Sequence, residues 1–165
     1  MSAEALERLV DRFSSEVVRT HAEHGDETVV LRGERLVEIC SFLRTDLVCA
    51  FEMLSDLTAV DYLNVKSPRF EVVYHLYSLS RNHRLRLKVE LEDGEPAVPS
   101  VMSVWKSANW MEREAWDLYG IRFEGHPDLR RILTYDEFQG HPLRKDYDME
   151  HRQPRIPPRE GQRHL

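Results

Sequence analysis

The sequence predicts an α+β fold in two layers: a mostly antiparallel sheet flanked by helices, followed by an extended Pro/Arg-rich C-terminal arm. Three observations carry this. Runs near Phe51 to Asp61, Arg69 to Ser80 and Arg84 to Glu92 read as successive strands, with a turn at Lys66-Ser67-Pro68 before the second and only Ser80 to His83 between the second and third. Segments of helical period precede and follow those strands without regular βαβ alternation. The last forty residues hold five of the eight prolines and four of the eight histidines, a composition for turns and extended chain.

Taken in order, Ser2 can cap a first helix whose Leu6, Leu9, Val10, Phe13 and Val17 share a face, which predicts helix to about Thr20. Gly25-Asp26 breaks it, and Glu27 to Arg32 reads as a short β segment closed by Gly33. Leu36, Ile39, Cys40 and Leu43 restore helical period over roughly 34–45. Phe70, Val72, Tyr74 and Leu76 then share one side of a strand. The next strand alternates Leu85, Leu87, Val89 and Leu91 with charged residues, and only Ser80-Arg81-Asn82-His83 separates the two, as in an antiparallel hairpin. After the turn residues Asp93-Gly94-Glu95-Pro96 comes another helix. Asn109 and Glu112 have the spacing of a capping box, Gly120 suits a left-handed C-terminus, and Met111, Ala115 and Leu118 lie on one face. No internal repeat of solenoid length occurs.

The 165 residues carry 23 basic and 29 acidic side chains, net −6, which argues against nucleic acid as the main partner. This length suits one domain, able to bury roughly 70% of its unfolded surface. Cys40 and Cys49 sit in apolar settings, as buried free thiols of a reducing compartment do. Met1-Ser2-Ala3-Glu4 lacks the features of a signal peptide, and no apolar run is long enough to span a membrane, so a cytosolic location is expected. The charge divides unevenly. Residues 126–165 hold 8 basic and 7 acidic residues, net +1, which leaves −7 on residues 1–125. The expected organisation is therefore an α+β body over 1–125 and a docking arm over 126–165 that is not an independent domain.

Two cysteines nine positions apart cannot hold an iron–sulfur cluster or a structural zinc alone, and neither a dinucleotide fingerprint nor a P-loop is present. Glu112, Glu114, Asp117 and His126 could form an acid/base cluster. On a helix, however, Glu112 and Glu114 do not face each other, whereas Arg113 and Asp117 can pair across one turn, so a salt-bridged or docking face is the preferred reading. His126 and His141 occur in matching Gly-His-Pro turns followed by basic pairs. Those turns are expected to aim Arg130, Arg131, Arg144 and Lys145 outward, towards an acidic partner surface. Of Trp110 and Trp116, one should pack on the sheet and the other anchor a partner. Met149 to Leu165 reads as a solvated tail or an arm ordered on assembly.

The run from Trp110 to Leu133 contains Glu112-Arg113-Glu114, Asp117-Leu118-Tyr119, His126 and Arg130-Arg131-Ile132-Leu133. This pattern resembles the signature of the thirty-kilodalton (C-type) subunit family of respiratory complex I, NADH:quinone oxidoreductase. Gly140-His141-Pro142-Leu143-Arg144-Lys145-Asp146-Tyr147, Phe70 to Leu91 and Asp56 to Tyr62 also look like family segments, and the resemblance covers about 35–148. It implies a peripheral-arm subunit on the cytoplasmic side of the inner membrane, without catalytic residues or a redox centre of its own, that scaffolds the quinone site while the assembled complex translocates protons. Flavin, iron–sulfur clusters, NADH and quinone are expected on partner subunits, notably the quinone-site (D-like) and iron–sulfur (B-like and I-like) ones. The alternatives are the equivalent subunit of a membrane-bound hydrogenase or other-donor dehydrogenase and, further away, a freestanding acid/base enzyme.

Overall fold

Hydrophobic alternation dictates the sheet. A computed structural model describes residues 2–156, so the last part of the tail, including Pro157, Pro158, Arg159 and Arg163, lies outside the described residues. In chain order the elements are α1 (Ser2–Arg12), β1 (Val17–His21), β2 (Thr28–Leu31), α2 (Leu36–Thr45), β3 (Met53–Asp61), β4 (Phe70–Ser78), β5 (His83–Leu91), β6 (Ala97–Pro99), α3 (Ala108–Tyr119) and β7 (Arg122–Glu124). The main sheet has the order β1-β2-β5-β4-β3, antiparallel except for the β2–β5 pair. A small parallel pair, β6–β7, stands apart.

Phe70, Val72, Tyr74 and Leu76 of β4 and Leu85, Leu87 and Val89 of β5 point inward and join Leu9, Phe13, Ile39, Leu43, Trp105 and Ala115 in one apolar cluster. The expected hairpin forms, from Phe70 opposite Leu91 to Ser78 opposite His83. In β3 the inward positions change from Leu54 to Leu57, Ala59 and Asp61, because an irregularity between Leu54 and Asp56 inserts Ser55 and reverses the alternation. The other face carries ion pairs, some of them part-buried: Arg19 with Glu90 at 2.6 Å, and Lys66 and Lys88 with the buried Glu71 at 2.8 and 2.9 Å.

Two local expectations fail. The first helix stops at Arg12, and Val17 to His21 instead pair antiparallel with β2. Val17 sits at helical spacing from Phe13, but Val17, Val18 and Thr20 are β-branched, and the open edge of β2 offers them ladder bonds that a helix end cannot. The capping box is also absent. α3 begins at Ala108 with Ser107 as an N-cap that makes no side-chain bond, and Glu112 turns into the interior instead. At the other end Gly120 takes the expected left-handed conformation, φ 74°.

Candidate functional site

α3 lies against β3 and turns charged residues inward. Glu112 is fully buried; its carboxylate accepts from Ser100 Oγ at 2.6 Å and from the Val101 N–H at 2.7 Å. Burial, only partly opposed by those bonds, pushes its pKa up to about 7. Arg113, also buried, donates from Nε to the Arg130 carbonyl at 3.1 Å and from Nη2 to the Arg131 carbonyl at 3.0 Å. Asp117 accepts from the N–H groups of Ile132, Leu133 and Thr134 at 3.0, 2.8 and 2.9 Å, from the Thr134 hydroxyl, and from Arg131 Nη1 at 2.7 Å. Burial would raise the Asp117 pKa, but the Thr134, Ile132 and Arg131 donors outweigh it and hold the group well below the carboxylate range.

The end of the same helix is capped by the next turn. A helix leaves its last carbonyls without intrahelical donors. Here His141 Nδ1–H donates to the Asp117 carbonyl at 2.9 Å, the Leu143 N–H to Leu118 at 3.0 Å and Arg144 Nε to Tyr119 at 2.6 Å. Gly120 permits this approach: a Cβ there would stand 2.5 Å from the His141 ring. Arg144 also lies over the Phe70 ring. A second tie runs from the sheet. Arg69, buried at the start of β4, pairs with Asp61 at 2.8 Å and with Asp146 at 2.8 Å, while the Lys145 N–H donates to Asp61. Burial would raise the Asp61 pKa, but Arg69 and the Lys145 N–H draw it down to about 2.

The predicted residues thus separate. Glu112, Arg113, Asp117, Arg131, His141 and Arg144 are bonded within the chain, whereas Glu114, Lys145 and Arg130 have exposed side chains, the last paired at 3.0 Å with the likewise exposed Asp128. The Arg113–Asp117 pair does not form, because the backbone and side chains of 130–134 reach both groups first: Arg113 is taken up by two carbonyls and Asp117 by three N–H groups and Arg131. The expectation that both basic pairs aim outward fails at Arg131 and Arg144 for the same reason. His126 is turned inward towards Glu112, its Nε2 4.0 Å from Oε2. Trp116 packs against the core, and Trp110 is 59% exposed with Arg113 against its ring. Sequence reading missed Asp61, Arg69, Ser100 and Asp146. A signal existed for the first: Asp61 continues the inward parity of Leu57 and Ala59, and an inward charge requires a partner. Among the described residues, no group of three or more His, Cys, Asp or Glu side chains is arranged to hold a metal ion.

Residues 29–153 match the profile of the family described as the respiratory-chain NADH dehydrogenase 30 kDa subunit. The chain belongs to this family. The C-type subunit of the NADH-quinone oxidoreductase of Geotalea uraniireducens is 47% identical over 146 residues, spanning 88% of this chain and 87% of that protein. Its counterpart in Acidithiobacillus ferrooxidans is 49% identical over 155 residues, spanning 88% and 77%. Among solved structures, a trypsin-resistant fragment of Nqo5 superposes with a TM-score of 0.66 at 35% identity, covering 76% of this chain and 99% of the fragment. A chain of the membrane-bound sulfane sulfur reductase, an archaeal respiratory membrane complex, gives 0.73 at 18% identity over 90% and 86%, a likeness of fold alone. Within the 30 kDa subunit family frame, the segment from Glu112 to Leu133 is a helix, the short strand β7 and a loop, with helix and loop locked together by buried charge.

Proposed function

We propose that this chain is the C-type, 30 kDa subunit of an NADH:quinone oxidoreductase, a peripheral-arm scaffold without a redox centre that braces the quinone-site subunit through residues 110–148. The observation that carries the docking surface is the division of labour on α3. Its buried charges fix the backbone of 130–134, and fixed backbone holds outward Arg130 (side chain 69% exposed) and Leu133 (63%), while Arg113, which clamps that backbone, also lies against the exposed Trp110 ring. An aromatic, an arginine and an aliphatic side chain on preorganised backbone have the composition of an interface anchor, since little ordering entropy remains to be lost on binding. The partners this reading assigns are the quinone-site (D-like) and iron–sulfur (B-like and I-like) subunits, which would carry the clusters and quinone, with flavin and NADH on other subunits. A place on the cytoplasmic side of the inner membrane belongs to the same reading. It is supported by family membership, and no helix among the described residues is long and apolar enough to cross a membrane.

A freestanding acid/base enzyme finds no support in the geometry. Glu114 faces solvent, Asp117 is filled by amide donors, and His126 bonds to backbone groups, so the three are not brought together. The sulfane sulfur reductase likeness shows that the fold is shared with other respiratory complexes, so the electron donor is read from the companion subunits. Mass spectrometry of the subunits that co-purify in gentle detergent should find an NADH- and flavin-binding subunit. Its absence would favour the other-donor complex.

The surface itself is tested with Trp110→Ala combined with Arg130→Ala, which gives up only the exposed Arg130–Asp128 pair and sets no second carboxylate against Asp128. The isolated variant should lose no more than about 1–2 kcal/mol, the contacts given up being the Arg113 packing on Trp110 and one exposed ion pair, yet be lost from the purified complex. Normal incorporation would remove the proposed surface. Arg131→Glu is unsuitable for that test because it places a second carboxylate against Asp117.

A further inference from the structure

Beneath α3 lies a buried pair that the docking surface does not use. The side chains of Glu112 and His126 are both fully buried, Oε2 and Nε2 4.0 Å apart. The Asp128 N–H donates to His126 Nδ1 at 3.0 Å, which puts the ring proton on Nε2. That Nε2–H faces two acceptors: the Asn109 carbonyl at 3.3 Å, a long bond, and the Glu112 carboxylate just beyond hydrogen-bond reach. The bonds Glu112 already accepts come from neutral donors, Ser100 Oγ and the Val101 N–H. The titratable groups facing it from neighbouring elements are the Cys40 thiol of α2 and the Tyr74 phenol of β4, both of which its charge disfavours from ionising. On its own helix, Arg113 and Asp117 are engaged with 130–134. No lysine or arginine among the described residues makes an ion pair with it.

We propose that Glu112 is a one-proton switch that selects the acceptor of the His126 Nε2–H and thereby moves the 126–129 turn. With its proton on, the carboxyl group is neutral and Nε2–H stays on the Asn109 carbonyl. When the proton leaves to solvent, a carboxylate remains in a site without a cation, and burying such a charge is costly unless a further donor reaches it. His126 Nε2–H is the nearest one free to swing. Turning the ring pulls Nδ1 away from the Asp128 N–H, and the turn that leads to the clamped carbonyls of Arg130 and Arg131 follows. Burial places the Glu112 pKa near neutrality, where such a switch would operate.

Nuclear magnetic resonance on the full labelled chain, titrated from about pH 5.5 to about pH 8.5 around the Glu112 midpoint, tests this without any partner. The Glu112 carboxyl carbon, the His126 Nε2–H and the Asp128 and Arg130 amides should share one midpoint, and the amide step should vanish in Glu112→Gln. His126→Phe, which removes the moving donor, should retain the Glu112 titration and lose the amide step, so the proposal remains testable if Glu112→Gln does not fold. An amide step that persists in either variant, or the absence of a shared midpoint in wild type, would overturn it.

Discussion

Glu112 and Asp117 stand five residues apart on one helix, both at 0% exposure, and their surroundings push them in opposite directions. Asp117 has amide and guanidinium donors around it and is held ionised; Glu112 has a hydroxyl and one amide and is pushed from the ordinary 4.5 up to about 7. The sign for stability follows from proton counting. An acid whose folded pKa is raised binds more protons folded than unfolded, so stability falls as pH rises from about 4.5, and the loss is complete above about 7. A shift of that size corresponds to roughly 3 kcal/mol. Glu112→Gln removes the titration and leaves an amide that can still accept from the Val101 N–H. Urea unfolding at about pH 5 and about pH 8 should therefore show wild type losing up to roughly 3 kcal/mol more than the variant. An unchanged difference would mean that Glu112 is already compensated in the fold.

At the scale of elements, α3 depends on the chain that follows it. Gly120 and Gly125 both have positive φ, 74° and 80°, but a Cβ at Gly125 meets nothing within 4 Å whereas at Gly120 it meets the His141 ring. Gly125→Ala should cost only the backbone strain, about 1–2 kcal/mol. Gly120→Ala should add the loss of the His141 and Arg144 bonds to the helix end, roughly 1 kcal/mol each. Equal losses in urea for the two variants would show that those caps contribute nothing. The same contrast explains what was legible in sequence. The β4–β5 hairpin, α2 and the Gly120 terminus are encoded by alternation, helical period and one residue's φ, all local signals. β1 was not legible, because Val17 satisfies helical spacing from Phe13 and only the distant edge of β2 decides otherwise. Glu112 was legible as a signature residue, but not its partner Ser100, since the spacing to Asn109 mimics a cap and the bond to Ser100 runs outside the helix.

For the molecule as a whole, net charge suggests a division near residue 126, yet bonding carries the body further. Residues 130–134 are tied to α3, 141–144 cap its end, and 145–146 are tied to β3 and β4 through Asp61 and Arg69. The last described residues are held by less: Tyr135 donates to the Pro154 carbonyl, and Gln153 bonds Gln139 and Tyr147. Arg152 and Arg155 have exposed side chains outside those bonds. Proteolysis needs local opening of the backbone, and the opening free energy is set by the bonds that must break first. Trypsin acting on the free chain should therefore cut after Arg152 and Arg155 well before Arg131 or Arg144. Replacing Arg69 with Met leaves the buried Asp61 carboxylate without its cation and cuts the tie to Asp146, and losing one partner of a buried pair costs about 3–5 kcal/mol. That variant should bring cleavage at Arg144 forward in time. Early cutting at Arg131 and Arg144 in wild type would mean that the segment is not held in the free protein and acquires its order on assembly.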